Sequence, residues 1–278
     1  MRKGYLPPFF NDPRMAGVGW LKSAIILSKA IIIPSLLYSS EVWAESYKYT
    51  EKTLEDEYKS MLYWIFDVPT HTKWASFLAD TGLPNIIPVA DKLRINFINF
   101  TLWGRGDAKA REILREEERN LGENSTLAMV DKTCLKYGIP KVSTMRLDPK
   151  LVKRTIKVWD ETEIWVKNLL SPITNNVSME RLRIALKWQK LYKREAQAII
   201  AYNAGALRTK MAWKDYYKEK KCLAPLCGDV DSLSHIKTCR FYRSRWKDSM
   251  LDDVKELAAW LVKIDEERRF TFKWEKFF

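Results

Sequence analysis

Cys222-Leu-Ala-Pro-Leu-Cys227-Gly-Asp-Val-Asp-Ser-Leu-Ser-His235-Ile-Lys-Thr-Cys239 holds three of the four cysteines and one of the two histidines of this 278-residue chain within eighteen positions. The spacing is Cys-x4-Cys-x7-His-x3-Cys. Two soft donors flank a short turn, and two more stand at i and i+4, where one helical face carries both. This donor set suits a closed, four-coordinate, structural zinc site. Gly228 would let the backbone curl around the ion, and the segment is too polar to fold without it. The competing readings are a disulfide pair or three incidental thiols. The odd thiol count in the window, the remote fourth cysteine Cys134 and the absence of a convincing export signal argue against a disulfide scaffold.

Charge is concentrated around this window. The formal net charge is +13, but residues 178–250 carry 17 basic against 7 acidic side chains, residues 1–177 carry 25 against 21, and residues 251–278 carry 6 against 7. So local an excess favours a polyanion, nucleic acid before an anionic membrane surface. The longest apolar run, Ala24 to Tyr38, contains Lys29 and Pro34 and is shorter than a bilayer-spanning helix, so no membrane partner is expected. Its long polar lead and Lys29 also disqualify it as a secretory signal. An intracellular setting, the nucleus included, is expected.

The fold class expected is all-α. Ten glycines and eleven prolines are few for an all-β chain of this length, and Lys, Glu, Leu and Ala dominate the periodic runs. A first helix over Ala16 to Trp43 aligns Trp20, Ala24, Leu27, Ile31 and Leu36, with a kink at Pro34. A second aligns Leu54, Tyr58, Met61, Leu62 and Ile65 and stops at Val68-Pro69-Thr70. Helices with a charged, solvated tail at Arg111 to Arg119 occupy 86–119, and a short helix near Leu127 to Tyr137 sits in a loose stretch, with Cys134 simply packed. Lys150 to Leu170 presents Val152, Ile156, Trp159, Val166 and Leu170. Ser178 is the expected cap of a long helix to about Asn203, and a final helix runs from Asp252 to Phe270 on Val254, Leu257, Leu261 and Ile264.

On the helix expected over 178–203, Arg183, Lys187, Lys190 and Arg194 fall at i, i+4, i+7 and i+11, a basic stripe on one face. Glu180 and Glu195 are the only carboxylates between Ser178 and Arg208. Like charges without partners in the helix repel one another, and a phosphate backbone would relieve them. Arg208, Trp213, Lys237, Arg240, Arg243 and Arg245 complete the candidate nucleic-acid contacts. Trp213, with Tyr216 and Tyr217, offers rings for stacking on unpaired bases.

Ile33-Pro34-Ser35-Leu36-Leu37-Tyr38-Ser39-Ser40-Glu41-Val42-Trp43, then Leu54-Glu55, Val68-Pro69-Thr70-His71-Thr72 and Asp80-Thr81-Gly82-Leu83-Pro84 resemble the segment after the polymerase core in reverse transcriptases of non-LTR retrotransposons. Leu207-Arg208-Thr209 before the Cys-Cys-His-Cys knuckle, and the aromatic and basic tail Phe241-Tyr242-Arg243-Ser244-Arg245-Trp246 after it, resemble the end of the same proteins. Family members space the first two cysteines more tightly and the His-Cys pair by one residue more. The resemblance implies a helical thumb-like region, placed over 1–119; the loose stretch over 120–149, with its glycines and prolines, is read as a connector, and 150–278 as a basic helical region that contains the knuckle 222–239. Intact members are RNA-directed DNA polymerases that grip RNA and DNA through the thumb and knuckle.

The paired aspartates of such a polymerase, which hold its magnesium ions, are missing. Asp252-Asp253 opens a helix and is read as a cap. No glycine-rich phosphate loop or nucleophile-base pair occurs, and His71 stands isolated in a turn. The chain is therefore expected to bind RNA or DNA without catalysis, with structural Zn2+ and no small-molecule substrate. The missing polymerase half is a possible protein partner. The alternative is a zinc-stapled helical module that binds protein, or a decayed retroelement remnant.

Overall fold

The computed structural model describes residues 19–38, 48–104, 107–169, 191–207, 221–222, 227–239, 242 and 253–274. Of these, 75% are helical and none forms a strand, so the all-α expectation holds. The helices are α1 Trp20–Leu27, α2 Ile33–Leu36, α3 Lys48–Phe66, α4 Trp74–Thr81, α5 Ile86–Trp103, α6 Ala108–Leu121, α7 Thr126–Lys136, α8 Pro149–Leu169, α9 Lys193–Asn203, α10 Leu233–Thr238 and α11 Val254–Trp274. No described helix is long and apolar enough to cross a membrane.

The chain forms two compact units, one of residues 28–60 and 83–166, the other of residues 1–27, 61–82 and 167–278. Neither follows the boundaries expected from sequence at 119 and 149. The supposed connector is the centre of the first unit. There Leu127, Val130 and Cys134 of α7 join Tyr137, Ile139, Val142 and Leu147 in one core with Ile95, Ile98 and Leu102 of α5 and Val152 and Ile156 of α8. The loop over 139–148 is pinned by side chains of α5. Asn99 donates to the Leu147 carbonyl and accepts from its amide, both at 2.9 Å, and the Trp103 indole donates to the Val142 carbonyl at 2.8 Å. These bonds satisfy backbone groups that a buried loop would otherwise leave stranded. Cys134 is fully buried, and burial pushes its thiol up to about 11. It is packing material, as its isolation in the sequence indicates.

Two apolar stripes differ from expectation, each for a local reason. A π-helical turn at Ser28–Ile32 precedes Pro34 and rephases the first helix, so Ile32 and Ile33 are buried while Ile31 is 52% exposed. A widened turn accommodates a residue that cannot donate to the ladder. On α8 the core-facing positions are Val152, Ile156, Asp160 and Ile164, and Val166 faces solvent. Asp160 is accommodated because its Oδ2 accepts the Asn85 amide at 3.1 Å. By contrast α6 buries nothing, as expected of the charged run.

The second unit is built on aromatic edges and faces. Phe77 of α4 meets Phe66 and Tyr63 edge-on at 5.0 and 5.5 Å and stacks on Trp74 at 5.6 Å, while Trp20 of α1 meets Phe66 at 5.8 Å. Such pairs add about 0.5–1.5 kcal/mol beyond area burial. α9 packs against α1, α4 and α11. Beneath it the Asn203 amide donates to both carboxyl oxygens of Asp80, at 3.2 and 3.1 Å. Asp80 is wholly buried. Burial pushes its carboxyl up to about 8, against the opposing pull of the Asn203 bond.

A carboxyl held neutral in the fold but ionising near pH 4 when unfolded keeps a proton that the unfolded chain has released. Stability is therefore fully present below about pH 4 and is lost as pH rises towards about 8, by at most about 1.4 kcal/mol per pH unit. Urea unfolding at pH 5 and pH 8 should give wild type a larger loss than Asp80→Asn. Equal losses would rule out a neutral Asp80.

Candidate metal centre

Among its described residues the motif has one backbone bridge followed by one short helix. Lys221 and Val230 form an isolated antiparallel bridge, and the Cys222 amide donates to the Asp229 carbonyl at 2.8 Å. This brings Cys222 beside the stretch that begins at Cys227. Ser232 then caps α10, its Oγ accepting the His235 amide at 3.1 Å, and the Cys239 amide closes the helix on the His235 carbonyl at 2.7 Å. His235 and Cys239 thus share one side of a single helical turn, as the i, i+4 spacing requires.

The four donor atoms converge, all within 4.8 Å of one another. The Sγ atoms of Cys222 and Cys239 lie 3.8 Å apart, those of Cys239 and Cys227 lie 4.0 Å apart, and Cys227 Sγ stands 3.3 Å from His235 Nε2. Sulfurs bonded to each other would be about 2 Å apart, so no disulfide joins these cysteines. The four residues are close enough to hold one metal ion. His235 Nδ1, on the far side of the ring, faces Asp229 Oδ2 at 3.5 Å. Gly228 is not needed for a left-handed turn. Its φ is not positive, and an added Cβ would meet nothing within 4 Å.

Three residues outside the motif's donor set anchor the centre. Asp231, between the second and third donors, forms a buried ion pair with Arg268 of α11, both side chains having no exposed surface. Arg268 Nη1 donates to the Tyr242 hydroxyl at 3.4 Å, and its guanidinium lies over the Tyr242 ring at 5.7 Å. Sequence reasoning missed this pair. One signal was available, because Arg268 continues the apolar stripe of Leu257, Leu261 and Ile264 at i+4 and is therefore on the inward face. Asp253 caps the same helix, accepting the Lys255 amide at 2.8 Å, which agrees with the cap reading of the Asp-Asp pair.

The nucleic-acid candidates fare unevenly. Arg183, Lys187, Lys190, Arg208, Trp213, Arg240, Arg243 and Arg245 lie outside the described residues. Ser178, the expected cap, does too. A single helix from 178 to 203 is excluded, since Tyr192 is extended at φ −72 and ψ 159 and α9 begins after it. Arg194 lies in the first turn of α9. It is exposed and pairs with Glu266 of α11 at 2.8 Å, a partner that the helix's own sequence could not reveal. Arg194 and Glu266 line a cleft of about 310 Å³ with Asp67, Gln197 and Asp265. Lys237 of α10 rests its ammonium over the Tyr202 ring of α9 at 5.2 Å. His71 bonds to the Ala206 backbone, and partial burial lowers its pKa.

Comparison with known protein families, with curated protein sequences and with solved structures finds no match to this chain.

Proposed function

We propose that this chain is a non-catalytic, nucleic-acid-binding C-terminal part of a non-LTR retroelement reverse transcriptase, in which Cys222, Cys227, His235 and Cys239 hold a structural zinc ion. The observation that carries this reading is the convergence of those four donors inside the most basic region of the chain. The spacing suits a tetrahedral, thiolate-rich site of the kind zinc takes. Sulfurs about 2.3 Å from an ion at tetrahedral angles stand about 3.8 Å apart, close to the 3.8 and 4.0 Å between these thiols. All four positions are filled by protein donors, which leaves none open for a reacting water. The imidazole's outward nitrogen faces a carboxylate, the usual arrangement for a histidine that binds metal through the other nitrogen.

The basic residues supply the binding half of the proposal. Arg194 already has a carboxylate partner, but an exposed ion pair contributes only about 0–1 kcal/mol, so exchanging Glu266 for a phosphate costs little. A second reading, a zinc-stapled module that binds protein, draws on a different feature. Phe97, Phe100 and Trp103 stand exposed on α5, Phe100 at 60%, and apolar patches of this kind commonly mark protein contacts.

Protein purified without added zinc should carry about one equivalent of the metal, and Cys227→Ser should lose it. Less than half an equivalent, unaffected by the substitution, would end the zinc reading. Affinity for single-stranded RNA should fall steeply with salt. Neutralising about six phosphates gives a slope of about −5 in log affinity against log salt. A flat response would favour the protein-binding module.

A further inference from the structure

We infer that Asp231 and Arg268 are positioning residues of the metal centre, so that zinc binding at the knuckle and docking of α11 form one coupled event. The inference rests on the zinc reading above and goes beyond the four donors. Asp231 lies four residues after Cys227 and four before His235, and Tyr242 lies three after Cys239. The guanidinium of Arg268 therefore gathers the chain on both sides of the second pair of donors. Arg268 and Asp231 have no exposed side-chain surface, and Ile236, between the last two donors, is also fully buried.

Neither member of such a pair tolerates being left alone, because an unpaired buried charge loses its hydration without compensation. The loop that carries Asp231 is in turn held by one backbone bridge and the donor cluster. Polypeptide of this kind depends on its ion for its shape. Loss of the ion would free Asp231, strand Arg268 in the interior and loosen α11. Linkage runs both ways, so disturbing Arg268 must weaken the ion's hold as well. A second contact closes the circuit, since Lys237 of α10 lies over Tyr202 of α9, and α9 packs on α11.

Two measurements on the full chain test this. In the wild type, hydrogen exchange of the backbone amides over 257–268 is compared before and after zinc removal by a chelator, with amides over 127–134 as an internal reference. Faster exchange in α11 with the reference unchanged is expected; unchanged protection of α11 overturns the coupling. In Arg268→Met, zinc affinity measured by competition with a chromophoric chelator should fall at least fivefold, and Asp231→Leu/Arg268→Met should recover part of the loss. A folded Arg268→Met protein whose affinity falls less than fivefold overturns the proposal. If that variant does not fold, the wild-type exchange result decides alone. A wild-type chain that binds no zinc at all overturns both this inference and the metal reading beneath it.

Discussion

Three thiols and an imidazole gather within 4.8 Å on a segment whose described residues have one backbone bridge and a six-residue helix of their own. Neutral thiols gain little from one another, whereas thiolates and a neutral imidazole gather strongly about a cation. The described part of the motif is built around that convergence. Its surroundings extend the dependence, for the turn that brings the donors together also delivers Asp231 to Arg268. A small polar loop thereby becomes continuous with the buried side of α11.

Elsewhere the two units use the same device at lower charge. Each apolar core contains a few polar groups that are paired and that set the register of neighbouring elements. In one, Asp91 accepts from the Tyr137 hydroxyl at 2.5 Å and from Lys136 at 3.1 Å. In the other, Asn203 clasps Asp80. Apolar side chains of similar size can exchange places at modest cost, but an unpaired buried carboxyl cannot be tolerated cheaply. These contacts therefore select one arrangement among several that hydrophobicity alone would permit.

The strong positive charge around the knuckle does not translate directly into free cations. Among the described residues, Arg268 is spent inside the protein, Lys237 covers an aromatic ring and Arg194 meets a carboxylate from another helix. Only the last is exposed enough to change partners readily. Net charge sets the long-range field that draws a polyanion near, while the number of side chains that can reach a phosphate is a smaller quantity set by packing.

The sequence by itself determined the helical class, most helices and the four donors. Helical periodicity and short-range donor spacing are local properties, and neighbours in the chain decide them. Leu54, Tyr58 and Leu62 on α3, and Leu257, Leu261 and Ile264 on α11, are buried where their spacing puts them. Only the tertiary structure decided that residues 120–149 are core and not connector, and that Glu266 partners Arg194. Only it revealed that Arg268, in a run resembling a solvated helix end, is wholly buried against Asp231. In each of these cases the deciding contact joins residues far apart in the chain, 72 positions for Arg194 and Glu266 and 37 for Asp231 and Arg268. Local spacing carries no information about such partners, because burial of charge is settled by what the rest of the fold brings to it.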